Sequence, residues 1–472
     1  NNAAELKTNF IIVLNDNNMS ISKNVGGISS YLSALRTAEA YTGMKMNTTK
    51  ALKKIPKVGP AIVDTMRKTK SSIKQLIIPG MFFENMGITY LGPVDGHNMR
   101  QMMRLFNEAK RVEGPVLVHV LTEKGRGYTP ACVHPDRFHG TGPFDIKTGK
   151  SLSEKKIPTY TDVFSETMAA LGKEQKKLVG ITAAMPDGTG LKKFGKLFPE
   201  RLFDVGIAEE HAVSFAAGLA LGGVTPVVAI YSSFLQRAVD QILHDVCMQN
   251  LHVVFAIDRA GLVGADGETH QGCFDLSYLT MMPNMTVMAP KNQWELEKML
   301  EFAVCAAGPC AIRYPRGNAY QGLKEFNGPI QYGKSEVISR GSKTVILSVG
   351  SMTAVCEQVF HEMKDRGDDP TFVNVRFVKP LDTALLDELA KDHSLFVTVE
   401  ENVKNGGFGE HVASYMEACH PNTRVLSLAI WNRFVEHGEV DSLRARVGLS
   451  PVEILSAIDN ELSEENGYEE VK

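Results

Sequence analysis

One pattern recurs along this chain and limits what it can become: a short apolar run, a loop, then an amphipathic stretch at helical spacing. A short apolar run is stable as a strand only when its faces are covered. An amphipathic helix between successive runs supplies that cover, so the pattern predicts an α/β chain of mostly parallel sheets flanked by helices. Three consecutive units follow, at 1–150, 151–325 and 326–472. The first holds the strands Ile11–Leu14, Ile88–Leu91 and Val116–Leu121 and the helix Met99–Val112. In the second, strands are expected at Leu178–Thr182, Leu202–Val205, Val227–Ile230, Val253–Ile257, Thr286–Ala289 and Ala311–Tyr314, with helices near 209–222, 234–249 and 293–306. The third carries Thr344–Val349, Phe372–Val375, Leu395–Val399 and Arg424–Leu428. The lysine-rich stretch Thr48–Lys74 reads as a mobile surface excursion, and Ile146–Pro158 as a linker.

Composition narrows the function classes. Of 472 residues, 43% are hydrophobic and 22% charged, and 51 basic against 54 acidic residues leave a net charge of −3. Without a strong field of either sign, neither nucleic acid nor an anionic membrane is an expected partner, although local basic clusters can hold a small phosphorylated ligand. The seven cysteines are scattered and form no C-x-x-C pair, which argues against a disulfide framework or a zinc site and for a reduced, cytoplasmic protein. The longest apolar stretch, Val213 to Ile230, is broken by Gly218, Gly222, Gly223 and Pro226, so it reads as helix, turn and strand rather than a membrane span.

Ligands of parallel sheets gather at the carboxyl ends of the strands, and chemistry-bearing residues cluster there. Leu14-Asn-Asp-Asn-Asn-Met-Ser20 follows the first strand; Asn17 and the Met19 carbonyl can offer oxygens to Mg²⁺, or the segment is simply a turn. Glu209 begins an apolar helix after a strand, as a helix-capping charge or as a buried acid sharing its proton with a ligand nitrogen. Tyr231-Ser-Ser-Phe-Leu-Gln-Arg237 follows another strand; Phe234 can be core or can stack on a heterocycle, and Arg237 can pair with Asp240. The Gly-rich loop 257–272 carries Arg259, Asp266 and His270, a composition suited to binding. Arg316, between Pro315 and Gly317, suits a phosphate fork or a surface turn. Lys124-Gly-Arg-Gly-Tyr128 is a phosphate-binding or merely basic turn, and His139 a proton shuttle or a loop histidine.

In this order and spacing the segments resemble the 1-deoxy-D-xylulose-5-phosphate synthase family. The resemblance rests on Leu14-Asn-Asp-Asn, Gly92-Pro-Val-Asp-Gly-His97, Lys124-Gly-Arg-Gly-Tyr128, Ala208-Glu-Glu-His211, Tyr231-Ser-Ser-Phe-Leu-Gln-Arg237, the 257–272 loop and Tyr314-Pro-Arg-Gly-Asn318. It implies a transketolase-like fold with a diphosphate-binding part, a pyrimidine-binding domain and a C-terminal domain. It further implies a transferase using thiamine diphosphate and Mg²⁺ to join pyruvate to D-glyceraldehyde 3-phosphate with loss of CO₂, and a cytoplasmic homodimer. By resemblance, Asn17 and the Met19 carbonyl hold Mg²⁺. Tyr128 lines the cofactor site, with Lys124 or Arg126 near the diphosphate. Glu209 bonds the aminopyrimidine and Phe234 packs on it. His139, Tyr231, Arg237, Arg259, Asp266, His270 and Arg316 match the substrate pocket, with His139 and His270 beside Glu209 as the residues handling protons.

Two other readings are a transketolase moving a ketol unit between sugar phosphates, and a binding or assembly subunit without catalysis. The latter follows from the start of the chain. Asn1–Leu6 reads as the end of a helix already under way, and the family's Gly-Asp-Gly segment, source of another Mg²⁺ ligand, is expected just upstream. On that reading the chain is a fragment with little activity alone.

Overall fold

The computed structural model describes residues 2–5, 8–19, 24–37, 81–152 and 157–469. The lysine-rich stretch 48–74 and part of the linker lie outside them. The chain forms two compact units, Asn1–Glu154 and Lys155–Lys472.

In the first unit, β1 (Phe10–Asp16), β2 (Thr89–Asp95) and β3 (Pro115–Leu121) form a parallel sheet in the order β1-β3-β2. β3 is central because it is the most continuously apolar of the three, and its Val116, Val118 and Val120 pack beneath the helix Met99–Ala109. That helix begins where the Asn98 side chain accepts the Gln101 amide at 3.1 Å. β1 was expected to be a buried strand. Instead Ile11 and Val13 are exposed, and only its alternate residues Ile12 and Leu14 join a cluster with Leu117.

The second unit holds two sheets. β4 (Leu178–Thr182), β5 (Leu202–Asp204), β6 (Thr225–Tyr231), β7 (Val254–Asp258), β8 (Thr286–Met288) and β9 (Cys310–Arg313) run parallel. β10 (Glu336–Ser339), β11 (Lys343–Ser348), β12 (Thr371–Asn374), β13 (Phe377–Lys379), β14 (His393–Val403) and β15 (Arg424–Ile430) follow. The sheet orders are β13-β8-β9-β7-β6-β4-β5 and β10-β12-β11-β14-β15. β10 and β13 are antiparallel additions with too few residues to show a periodic pattern. β13 belongs by sequence to the C-terminal block but completes the seven-stranded sheet, joining the two blocks through the backbone.

Alternate residues of β6 and β7, Val227, Ala229, Val254 and Ala256, face a core shared with helices Tyr160–Glu174 and Gln293–Ala303. The first of these starts at a capping box: Thr159 and Asp162 each satisfy the other's backbone N–H. Behind the sheet, Glu295 accepts Lys291 Nζ at 2.9 Å, Arg376 Nε at 2.7 Å and Asn374 Nδ2 at 2.9 Å, while Glu336 pairs with Lys291 and Arg376. These buried charges persist because each has an opposite partner. The helix expected at 234–249 is broken into Ser232–Leu235, a 3₁₀ turn Gln236–Ala238, Val239–Gln241 and a π-helical Ile242–Cys247. Among the described residues no helix is long and apolar enough to cross a membrane.

Candidate active site

In the second unit, β5, β6, β7 and β9 run parallel and end at the same edge of the seven-stranded sheet. Tyr231 closes β6, Arg259 follows β7, Arg316 lies just past β9, and Glu209 opens the helix Glu209–Leu221 after β5. Glu209 is 2% exposed. Arg237 Nη1 binds its Oε2, and among the described residues no hydrogen bond reaches Oε1. The pairing of Arg237 with Asp240, weighed from their spacing, gives way to this one. Asp240 bonds His244 instead, at 2.9 Å.

An aromatic column runs from this edge. Tyr231 stacks on Phe234 at 5.5 Å between ring centres, and Phe234 meets the edge of His270 at 5.2 Å. Thr269 Oγ1 lies 2.9 Å from His270 Nδ1. Arg259 covers the other end, its guanidinium carbon 3.9 Å from the Tyr231 ring centre. Burial pushes the Tyr231 hydroxyl up to about 12, against the pull of Arg259, so it remains a hydroxyl at neutral pH.

Arg259 is held from three sides. Nη1 pairs with Asp258 Oδ2 at 2.9 Å and donates to the Gly188 carbonyl at 2.8 Å, and Tyr231 takes its face. Thr161 Oγ1 donates to Asp258 at 2.8 Å. Burial pushes the Asp258 carboxyl up, while Arg259 and Thr161 pull it back. Gly188 is required here, since a Cβ would stand 1.8 Å from the Tyr231 hydroxyl oxygen. Arg316 Nη1 pairs with Asp266 at 2.7 Å. A cavity of about 610 Å³ opens beside the arginines, lined in part by Asp187, Gly188, Lys192 and Gly317.

In the first unit, the segments after β1 and β3 share one edge. The Thr122 amide donates to the Asp16 carbonyl at 2.9 Å and its hydroxyl to Asn15 Oδ1 at 2.6 Å. Asn17 Oδ1 accepts the Met19 amide at 3.0 Å, with Asn18 in the left-handed region at φ 62°. Beneath them lies a buried chain: Asp16 Oδ2 to His119 Nε2 at 3.0 Å, then His119 Nδ1 to the Tyr90 hydroxyl at 2.7 Å. Burial pushes the Tyr90 hydroxyl up, so it stays protonated beside Nδ1.

Lys124 Nζ is 3.1 Å from His139 Nδ1. Burial, then the Lys124 charge, pushes His139 down, keeping it neutral, and burial pushes Lys124 down as well. Arg126 faces Glu123 at 3.6 Å, both half exposed. Tyr128 bonds the Ile146 carbonyl at 2.8 Å and packs against Phe138 and Phe144. Asp258, Thr161, Gly188, Asp16 and His119 were not singled out from the sequence. Asp258 and Asp16, charges that end apolar strands, left a local signal.

A 1-deoxy-D-xylulose-5-phosphate synthase from Lachnoclostridium phytofermentans is 55% identical over 459 residues, covering 97% of this chain and 73% of that protein. The chain belongs to the 1-deoxy-D-xylulose-5-phosphate synthase family. A synthase of that name from Pelotomaculum thermopropionicum is 49% identical over 461 residues, covering 97% of this chain and 72% of that protein. Within this chain, residues 1–122 match the 1-deoxy-D-xylulose-5-phosphate synthase family model. Residues 156–321 match the transketolase pyrimidine-binding domain and 333–454 the transketolase C-terminal domain. Among solved structures, a split-gene transketolase, described as an inactive β4 tetramer, superposes with TM-score 0.58 at 27% identity. It spans 65% of this chain and 98% of its own. Transketolase from Campylobacter jejuni covers 97% of this chain, and 74% of its own, at TM-score 0.56 and 18% identity, a likeness of fold. The transketolase-like α/β architecture expected from the motifs is therefore the architecture present.

Proposed function

We propose that the protein condenses pyruvate with D-glyceraldehyde 3-phosphate, releasing CO₂, to give 1-deoxy-D-xylulose 5-phosphate. The observation that carries this reading is the buried Glu209 carboxylate at the strand edge that also bears the Tyr231–Phe234–His270 column and the two arginines. The donor set fits thiamine diphosphate: a carboxylate with one oxygen open toward a ring nitrogen, and an aromatic face for a heterocycle. Two hard oxygens after β1, Asn17 Oδ1 and the Met19 carbonyl, suit Mg²⁺ accompanied by diphosphate oxygens. Among the described residues no cluster of three or more His, Cys, Asp or Glu is placed to hold a metal.

Bound thiamine diphosphate supplies the carbanion chemistry that takes up pyruvate's two-carbon unit as CO₂ leaves. Glu209 would hydrogen-bond the pyrimidine nitrogen, and Arg237 holds the other carboxylate oxygen so that the side chain keeps one orientation. Phe234 supports the ring, and Tyr128, with Lys124 or Arg126, serves the cofactor in the first unit. Arg259 and Arg316 bind the aldehyde's phosphate by charge-assisted hydrogen bonds. Tyr231, Asp266 and His270 position its hydroxyls, and His139, neutral at physiological pH, is able to accept a proton. Holding both substrates in one orientation contributes the usual proximity advantage. On this reading 1–150 handles the diphosphate, 151–325 the pyrimidine and acceptor, and 326–472 completes the C-terminal domain of a cytoplasmic homodimer.

The test is product identification. The complete gene product, supplied with pyruvate, D-glyceraldehyde 3-phosphate, thiamine diphosphate and Mg²⁺, is expected to form 1-deoxy-D-xylulose 5-phosphate by mass spectrometry. Ketol transfer from a sugar phosphate without CO₂ release would establish the transketolase reading instead.

A further inference from the structure

The loop after β7 carries Asp266 and His270 but is punctuated by glycines and has no secondary structure of its own to hold it. Its base is closed by Gly261 and Gly272, whose backbones exchange hydrogen bonds at 2.7 and 2.8 Å. Beside the base sits Gln271, 2% exposed, with its side-chain amide engaged at both ends. Oε1 accepts the Val263 amide at 2.8 Å and lies 3.4 Å from the Gly264 amide. Nε2 donates to the Glu436 carbonyl at 3.0 Å.

Glu436 belongs to the segment before the helix Val440–Arg446, in the C-terminal block of the same compact unit. That segment meets the loop twice more. The Gly438 amide donates to the Gly264 carbonyl at 3.3 Å, and a Cβ added at Gly267 would touch His437 at 3.4 Å. Gly264 itself has φ +80°, and a Cβ there would stand 2.6 Å from the Gly438 carbonyl oxygen, so the joint admits only glycine.

We propose that Gln271 is a positioning residue: a clasp that locks the 261–272 loop onto residues 436–438 and so sets Asp266 and His270 for the phosphorylated aldehyde. This rests on the synthase reading of the site. A glutamine side chain offers an acceptor and donors on one short amide, which the two sides of this joint require. Asp266 reaches Arg316 at 2.7 Å and His270 packs on Phe234 at 5.2 Å, so a loosened loop disturbs both contacts together. Glu209 and Tyr231 lie on other elements and do not move with it.

Gln271→Met removes both ends of the clasp. Gln271→Glu keeps the shape and the acceptor toward Val263 but sets a carboxylate against the Glu436 carbonyl. Hydrogen exchange on the full chain without substrate is expected to run about tenfold faster at 261–272 and 434–440 in both variants, the scale of one lost hydrogen bond, with β6 unchanged. In steady state, the D-glyceraldehyde 3-phosphate KM of Gln271→Met is expected to rise about tenfold, with the pyruvate KM within about threefold of the parent. Unchanged exchange, or faster exchange without a selective rise in the acceptor KM, overturns the proposal. Absence of synthase activity from the unsubstituted protein refutes the functional reading instead, and the exchange measurement then decides the clasp alone.

Discussion

The guanidinium of Arg259 lies 3.9 Å from the ring centre of Tyr231, and the same side chain pairs with the fully buried Asp258 at 2.9 Å. Arg259 has φ +60°, a conformation that costs a non-glycine residue roughly 1–2 kcal/mol. Its surroundings hold it there before any ligand arrives, which removes the need to order a long side chain on binding.

Asp258→Asn keeps the size and the contact with Thr161 but removes the charge that holds Arg259. The D-glyceraldehyde 3-phosphate KM is expected to rise about tenfold and the pyruvate KM to change little, as for loss of one charge-assisted contact. Kinetics at saturating pyruvate measure this directly. Equal weakening of both substrates would place Arg259 elsewhere in the reaction.

Arg316 is bound less tightly, being 40% exposed in its pair with Asp266. Arg316→Ala is expected to raise the acceptor KM by about ten- to a hundredfold while leaving thermal stability nearly unchanged, because exposed ion pairs add little to folding. A large fall in Tm would show that the pair is structural.

Glu400 tests the linkage of pH to folding. It is fully buried, accepting the Phe408 and Gly409 amides at 2.9 and 2.8 Å, and burial pushes its carboxyl up to about 7. The unfolded value is near the ordinary glutamate value of about 4.3, so between these limits the folded state keeps a proton that the unfolded chain has lost. The contribution is fully present below about pH 4 and is lost as pH rises through 7, on the order of 3–4 kcal/mol. The Tm of the parent relative to Glu400→Gln should therefore fall from pH 5 to about pH 7 and level off above it. A rising difference would reverse the sign.

The buried ion network makes a stability prediction. Glu295→Ala leaves Lys291 and Arg376 with only Glu336 between them, and about 3–5 kcal/mol of stability should be lost. Denaturant unfolding of the second unit is the readout, and a loss under about 1 kcal/mol would contradict it.

How much of this was legible in sequence follows from separation along the chain. Glu209, Tyr231, Arg259 and Arg316 each follow an apolar strand closely, so the strand pattern alone brought them to one sheet edge. The residues that fix them came from far away: Gly188 is 71 positions from Arg259, and Thr161 is 97 from Asp258. His119 sits inside an apolar strand 103 positions from Asp16 and looked like core. The broken helix after Tyr231 was also hidden, because its apolar spacing is still that of a regular helix. β13 was not read as a strand because three residues carry no period.

Labelled CO₂ tests the role proposed for Glu209 in a thiamine-dependent, pyruvate-decarboxylating condensation. Release of labelled CO₂ from carboxyl-labelled pyruvate is followed with D-glyceraldehyde 3-phosphate present, for the complete gene product and its Glu209→Gln variant. CO₂ and 1-deoxy-D-xylulose 5-phosphate are expected in equal amounts from the parent, and release at least about a hundredfold slower from the variant with the fold intact. Near-normal release from Glu209→Gln would contradict that role.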